Sequence, residues 1–541
     1  MTLAKLPDDI GALKALVLEN FQRANDAQQR AEREELRAKD YLDKFKSEAQ
    51  RAENYKFKCE TLLRKLYGHS SEKLQEQPGQ QLLFELPTEP EPEPAVETPA
   101  AEAEPSKKRS GGGRRTLPPE LRRERRVYEL PEAERKCSCC NEPMQPFGAE
   151  TSEQLDYIPA SLFVIEHVRI KYACKACQEK PAVAPVPDKI IDKGLAAAGL
   201  LSQIAVSKFG DHQPLYRQEH ILERHGVNIP RSTQCAWMGQ IADLLEPLWK
   251  RMAVLVKQSK KIHTDDTPVK VLDPGRGKTR TARFWVYVGD AEHPLTVFDY
   301  TPSRKRIGPQ EFLKSFIGYL QADAYGGYDQ IYAGPGVIEV ACWAHARRKF
   351  FEAQDCNPRA KEMVLLIAEM YAIEARVRPQ LEAALALPAG ERGGALARAY
   401  ATRLQMRQTL TVPILARIKT WLEARLLDTL PKSPLGEAAK YARNQWTALN
   451  RFVENGMLEL DNNIAENALR PIALGRKNYL FMGSDEGGRR AAILYTLIRT
   501  CERHGVNAWA YLKDVLERVS THPASQIDEL LLHNWKPAKQ N

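Results

Sequence analysis

Residues 77–106 include TEPEPEPAVETPAAEAEP, an acidic, proline-rich run too poor in apolar side chains to bury a core. It reads as a flexible linker, so the chain must fold as an N-terminal part and a larger C-terminal part. At 541 residues the sequence exceeds one ordinary domain, and several units are expected. The sign of the charge then flips in KKRSGGGRRTLPPELRRERR, where Lys107, Lys108, Arg109, Arg114, Arg115, Arg122, Arg123, Arg125 and Arg126 make the sharpest basic segment. Glycines 111–113 leave it free to move against a partner. A solvated surface is the plain reading of a charge run; contact with a DNA backbone, through Arg114 and Arg115 among others, is the functional one. The overall charge of +9 leans the same way but decides little alone.

Upstream of the linker, residues 8–68 contain no internal proline. A heptad runs through Ile10, Val17, Phe21, Ala24, Ala31, Ala38, Leu42, Phe45, Ala49, Ala52, Cys59, Leu63 and Leu66, with polar Lys14, Gln28, Glu35 and Lys56 in intervening slots. Such a seam predicts a coiled coil of modest strength. A single amphipathic helix packed on its own protein is the alternative.

Ten cysteines in a reducing compartment point to metal or core roles before disulfides. Cys137 and Cys140 form one CxxC pair, and Cys174 and Cys177 in YACKACQ form another. Two such knuckles can complete a tetrahedral Zn²⁺ site. Cys139 is a possible substitute ligand, and four buried thiols are the structural alternative. The long interval between the pairs holds LFVIEHVRIKYAC, whose β-branched and aromatic residues predict a small β-ribbon.

Three amphipathic segments follow over 195–250: AAGLLSQIAVSKFG, PLYRQEHILERHG and RSTQCAWMGQIADLLEPLWKRM, with Gly210 and Gly226 where two should stop. Arg217, Arg224, Arg231 and Lys250 suit a helix-turn-helix DNA reader; a plain three-helix packing unit fits as well. After Lys260 the texture turns to strands. KKIHTDDTPVKVL ends at the turn DPGRG, then TARFWVYVGD and PLTVFDYTPSR complete an antiparallel meander, and GYLQADAYGGY and GVIEVACWAHARRKF each open with a short apolar run. Three strands, then helix and strand, is how a ribonuclease-H-like core begins. Such a core needs a carboxylate on its first strand and one at the end of its fourth. Strand alternation sends Asp265 and Asp266 to opposite faces, so only one serves a given site.

HTDDTPV, LQADAYGGY, CWAHARRKFF, LDNNIAENALRPIALGRKNYLFMGS and the CxxC pairs, in this order, resemble the transposases of the insertion sequence 66 family over nearly the whole chain, from LLRKLYGHSSEKL to the C-terminal helices. These are similar to the wider Asp-Asp-Glu group with its ribonuclease-H-like fold. The resemblance implies Asp265 as the first catalytic carboxylate, Asp323 as the second and Glu466 as the third. Together they would hold two divalent cations, Mg²⁺ or Mn²⁺, for in-line attack on phosphorus. It also implies a Cys-x-x-His motif at Cys342 and His345. There a satisfied structural histidine and an active-site neighbour are both open, and Arg347 and Arg348 beside it are candidate DNA contacts. Glu466 is expected on a helix with Arg470 on the same face, as a phosphate clamp or an ion-pair partner for Glu466. Pro471 is expected to interrupt that helix. The glycine-rich, basic GRKNYLFMGSDEGGRR, with Arg476 and Lys477, suits a DNA backbone. Trp446 is expected in the core rather than against an extruded base.

The expected fold is multidomain and mixed: a coiled-coil helix over 1–74, the linker over 75–116, a zinc ribbon over 117–190 and a helix-turn-helix-like region over 191–255. A ribonuclease-H-like core over 256–354 and 451–500 follows, with a helical insertion over 355–450 and C-terminal helices over 501–541. The expected function is a cytoplasmic DNA transposase that needs Zn²⁺ and Mg²⁺ or Mn²⁺ and works as a homodimer or higher. Its partners are its element's terminal repeats, target DNA and small companion proteins. No membrane role is expected. A catalytically silent DNA-binding regulator and a nuclease with the same core are the alternatives.

Overall fold

The computed structural model describes residues 9–67, 162–166, 171–172, 182–183, 189–192 and 194–537. Helix α1 (Ile10–Tyr67) is a single element of 58 residues, as its lack of proline allows. Ile10, Val17, Phe21, Leu42 and Phe45 of the heptad stand exposed along it.

Residues 84–184 cluster as a unit of their own. Of the expected ribbon, Lys171–Tyr172 pairs antiparallel with Ala182–Val183, while residues 162–166 carry no regular structure. Cys137, Cys139, Cys140, Cys174, Cys177, Arg114 and Arg115 lie outside the described residues.

The remainder is built on a five-stranded mixed sheet. Strand β1 (Lys261–Asp273) turns back through Pro274–Arg276 into β2 (Lys278–Val288). Gly277 closes that turn at φ +61°, a left-handed position that glycine takes without steric cost. Strand β3 (Thr296–Thr301) completes the antiparallel meander. Strand β4 (Gly318–Gln321) then joins the other edge of β1 in parallel, and β5 (Val337–Val340) joins β4 in parallel. The order across the sheet is β3-β2-β1-β4-β5.

Phe284 to Val288 of β2 are buried without a break, as expected for a central strand covered on both faces. Val269, Val271, Phe284, Val286 and Phe298 share one core with helices α2 (Ala198–Phe209) and α4 (Arg231–Val256). Ile262, Trp285, Tyr287, Leu320 and Tyr328 form another. Helix α3 (Leu215–Arg224) ends before Gly226 at φ +79°. The segment read as helix-turn-helix-like therefore inserts two of its three helices into the core of the sheet. Arg217, Arg224, Arg231 and Lys250 remain exposed.

Helix α5 (Trp343–Ala353) leaves the sheet after β5. The alanine- and leucine-rich stretch that follows is helical: α6 (Ala360–Ala386), α7 (Ala389–Met406), α8 (Val412–Asp428) and α9 (Pro434–Asn444). It has its own core around Trp343, Phe350, Met363, Ile367, Ile418 and Phe452. Trp446 packs edge-on to Trp343 with ring centroids 6.3 Å apart.

The chain returns to the sheet as α10 (Asn463–Tyr479), α11 (Asp485–Arg503) and α12 (Ala508–Arg518). Pro471 does not interrupt α10, contrary to the expectation from sequence. A proline removes one N–H, and here Ala465, Leu469, Ile472 and Gly475 are buried on both sides of it, so packing holds the helix through the missing bond. Arg476 stays in register and donates to Thr267 Oγ1 at 2.9 Å and to the Pro268 carbonyl, tying α10 to β1.

Candidate active site

Three elements bring the candidate carboxylates together. Asp265 sits mid-way along β1, opposite Val286 of β2. Asp323 lies two residues beyond β4, where its Oδ1 accepts from the Tyr325 amide at 3.3 Å in the Tyr-Gly-Gly turn. Glu466 stands in the first turn of α10.

Their fields overlap. Burial, followed by the charges of Asp323, Asp266 and Glu466, pushes the Asp265 carboxyl up to about 8, against one backbone hydrogen bond from Asp266 that favours its charged form. Burial also raises Asp323, partly offset by His345 and Arg304.

Asp266 has a different environment, as alternation requires. Arg283 Nη1 reaches its Oδ2 at 2.8 Å, Arg304 Nε and Nη2 reach its Oδ1 at 2.9 and 2.8 Å, and only 2% of the side chain is exposed. Asp266 is therefore neutralised from two sides, while Asp265 is left among other carboxylates.

Around Glu466, the His345 Nδ1 is 3.7 Å from Oε1 and Arg348 Nη2 is 3.9 Å from Oε2. Both the His345 Nδ1 and the Glu466 Oε1 are buried without a hydrogen-bond partner. Burial lowers the His345 imidazole, against the pull of Glu466. The donor atoms that lie within 4.8 Å of one another among the described residues are those of Cys342, His345 and Glu466. Asp265 and Asp323 face Glu466 through their fields rather than as part of that tight group. Arg347 stacks over Phe351 at 5.7 Å, and Arg470 and Lys477 are exposed on α10.

Two structural residues escaped the reading of the sequence. Asn462, fully buried at the start of α10, donates from Nδ2 to the Thr264 carbonyl at 2.9 Å and pairs through Oδ1 with His263 Nδ1 at 3.0 Å. Its amide donates to Cys342 Sγ at 3.2 Å, and its carbonyl accepts from the Glu466 amide at 3.3 Å. One side chain thus fixes Glu466 against the residue that precedes Asp265. Asn462 lies inside DNNIAEN, but nothing in its spacing distinguishes it from Asn463. Arg304 follows β3 in SRKRIG, where a cluster of three cations was the available signal.

Residues 193–490 match the model described as the transposase IS66 family, and 134–178 match the zinc-finger binding domain of transposase IS66. Residues 496–531 match the IS66 C-terminal element, and 54–126 match the model described as transposase C of IS166 homeodomain. Among curated relatives are three proteins of Sinorhizobium fredii (strain NBRC 101917 / NGR234), all described as uncharacterized. Protein y4jD is 34% identical over 74% of this chain and 78% of its own length. Protein y4qI is 31% identical over 99% of both, and y4hP is 32% identical over 89% and 88%. With four models of one family matched in chain order and a relative aligned end to end, the chain belongs to the IS66 family of transposases.

Proposed function

We propose that the chain is the transposase that cuts the ends of an insertion sequence and joins them to target DNA, with Asp265, Asp323 and Glu466 as catalytic carboxylates in a ribonuclease-H-like core. The sheet order supports that core: an antiparallel meander with β1 at the centre, then two parallel strands. The observation that carries the proposal is Asp265, a buried carboxylate whose nearest charges are other carboxylates, beside an Asp266 matched by two arginines.

The donor set fits hard divalent cations. It is all oxygen, and the Glu466 Oε1 is buried without a partner. Asp265, Asp323 and Glu466 would hold Mg²⁺ or Mn²⁺. When bound, two such cations supply Lewis-acid activation of a water or DNA 3′-hydroxyl and stabilise the leaving oxygen. The protein's own part is positional. Asn462 holds Glu466 against β1, the neutral His345 ring walls Glu466 on one side, and Arg283 and Arg304 keep Asp266 out of the ligand set. Zn²⁺ belongs to the zinc-finger domain, with Cys137, Cys140, Cys174 and Cys177 as its ligands. DNA is the partner, and pairing through α1 would make the active assembly a homodimer or higher. No helix among the described residues is long and apolar enough to cross a membrane.

The test is purified full-length protein with Mg²⁺, a duplex bearing the element's terminal repeats, and a target plasmid. Nicking at the repeat ends followed by joined product is expected. Cutting without joining would favour the nuclease reading. Binding to the ends without any cutting would favour the regulator.

A further inference from the structure

A cavity of about 460 Å³ opens beside the carboxylates, between the Arg304–Ile307 turn on one side and Tyr325–Gly327 on the other. Its position ties it to the reaction centre. Arg304 pairs with Asp266 and places Nη2 3.9 Å from Asp323 Oδ2, so one side chain separates the cavity from the second catalytic carboxylate.

Its walls are fixed. The Arg304 guanidinium lies 4.1 Å over the Tyr325 ring, and the Tyr325 hydroxyl donates to the Arg304 carbonyl. A Cβ on Gly327 would come within 2.0 Å of the same ring, so only glycine lets this backbone close on Tyr325. Arg304 and Tyr325 are therefore committed to each other.

Lys305 and Arg306 are not committed. Both are exposed, and neither side chain has a hydrogen-bond or ion-pair partner among the described residues. Beside them Ile307 is 62% exposed, an apolar side chain set among cations. Two free cations, an apolar wall and room for a small ligand describe a site for an anion that carries a flat apolar group. Inorganic phosphate would leave Ile307 wet, and a carboxylate side chain would fill little of the volume. A nucleotide uses all three features.

We propose that this cavity receives one unstacked nucleotide of the DNA strand next to the phosphate held at the carboxylates. Its phosphate lies on Lys305 and Arg306, and its base packs against Ile307 and the Arg304–Tyr325 stack. The proposal rests on the transposase reading above. Pulling one base from the stack costs a few kcal/mol, offset here by the two charge contacts and the apolar wall.

The experiment uses the full chain and end duplexes in which 2-aminopurine replaces single bases flanking the cleavage position, with a parallel set of labelled target duplexes. Wild-type protein should brighten the probe at one flanking position. Lys305→Gln/Arg306→Gln should abolish that signal and reduce the dependence of log affinity on log salt by about 1.4, from roughly 0.7 per lost single-strand phosphate contact. Ile307→Ser should weaken the signal and leave the salt dependence unchanged. Brightening in the end duplex or in the target duplex identifies which strand supplies the nucleotide. No brightening at any position, or brightening that survives in the double variant, overturns the proposal. If wild-type protein never cuts, yet the signal appears and vanishes with the double variant, the cavity stands and the transposase reading falls.

Discussion

Two clusters of buried charge meet β1 four residues apart, and they are satisfied in opposite ways. At Lys261, every charge has a partner. Its Nζ lies 3.2 Å from Glu459 Oε1; Arg403 bridges Glu459 and Glu374 at 2.5 and 2.7 Å; Arg407 returns to Glu374 at 2.7 Å. The donors left over reach the carbonyls of Met457, Phe452 and Leu458. At Asp265, three carboxylates face one another, and their nearest cations, Arg304 and Arg348, stay 3.9 Å away. Buried charge is tolerated when paired and hydrogen-bonded, and costs several kcal/mol otherwise. The first cluster is complete within the chain and serves the fold. The second is completed by something from outside, which is how a ligand site differs from an ion-pair network of similar burial.

The largest effect expected from this contrast is catalytic. Asp265→Asn, Asp323→Asn and Glu466→Gln should each lower cleavage and joining by about three orders of magnitude or more, since each trades an anionic ligand for a neutral amide of the same shape. End binding, measured by gel shift, should survive. Thermal unfolding without divalent cations should not be weakened, because each swap removes mutual repulsion. Retained strand transfer in all three would sink the mechanism and reopen the regulator reading.

The paired cluster should respond in reverse. Arg407 is fully buried, and its guanidinium serves Glu374 and three carbonyls. Arg407→Met should destabilise the fold by about 3–5 kcal/mol by leaving a buried charge unmatched. Urea unfolding measures this, and a loss below about 1 kcal/mol would mean the network is incidental.

Much of this contrast was legible in the sequence, and the rest was hidden for physical reasons. The meander, the turn at DPGRG and the placement of Asp265 against Asp266 follow from local alternation and turn chemistry, which a sequence records directly. Glu374, Arg403, Arg407 and Glu459 could not be matched in advance. They sit on separate elements, and an arginine in an alanine-rich helix looks the same whether it faces water or a buried glutamate. Pro471 misled for a related reason: the rule that proline ends helices is local, and the packing that overrides it is not.

A subtler effect is expected at Asn462, which links the two halves of the candidate site without touching the reacting atoms. Asn462→Ala should lower cleavage by about 10- to 100-fold, with a higher Mg²⁺ concentration needed for half-maximal rate, as for other groups that orient metal ligands. Asn462→Ser, which keeps a short polar group, should recover part of the loss. An unchanged Mg²⁺ requirement with uniformly reduced stability would assign the residue to folding alone.

The smallest catalytic effect should come from Asp266→Asn, and it is the sharpest test because the two aspartates are chain neighbours. Asp266 has the same chemistry as Asp265 and nearly the same burial, but strand alternation turns it to Arg283 and Arg304. Its amide variant keeps one acceptor and loses the charge that balances two guanidinium groups. The cost should therefore appear as stability, about 1–3 kcal/mol for weakened charge-assisted hydrogen bonds. Cleavage should fall by less than about tenfold, through the looser hold on Arg304 beside Asp323. Urea unfolding and a cleavage time course on the same preparation separate the two. If Asp266→Asn is as inactive as Asp265→Asn while its stability is untouched, Asp266 is a ligand, and the distinction between matched and unmatched carboxylates on β1 fails at the position where it is drawn most finely.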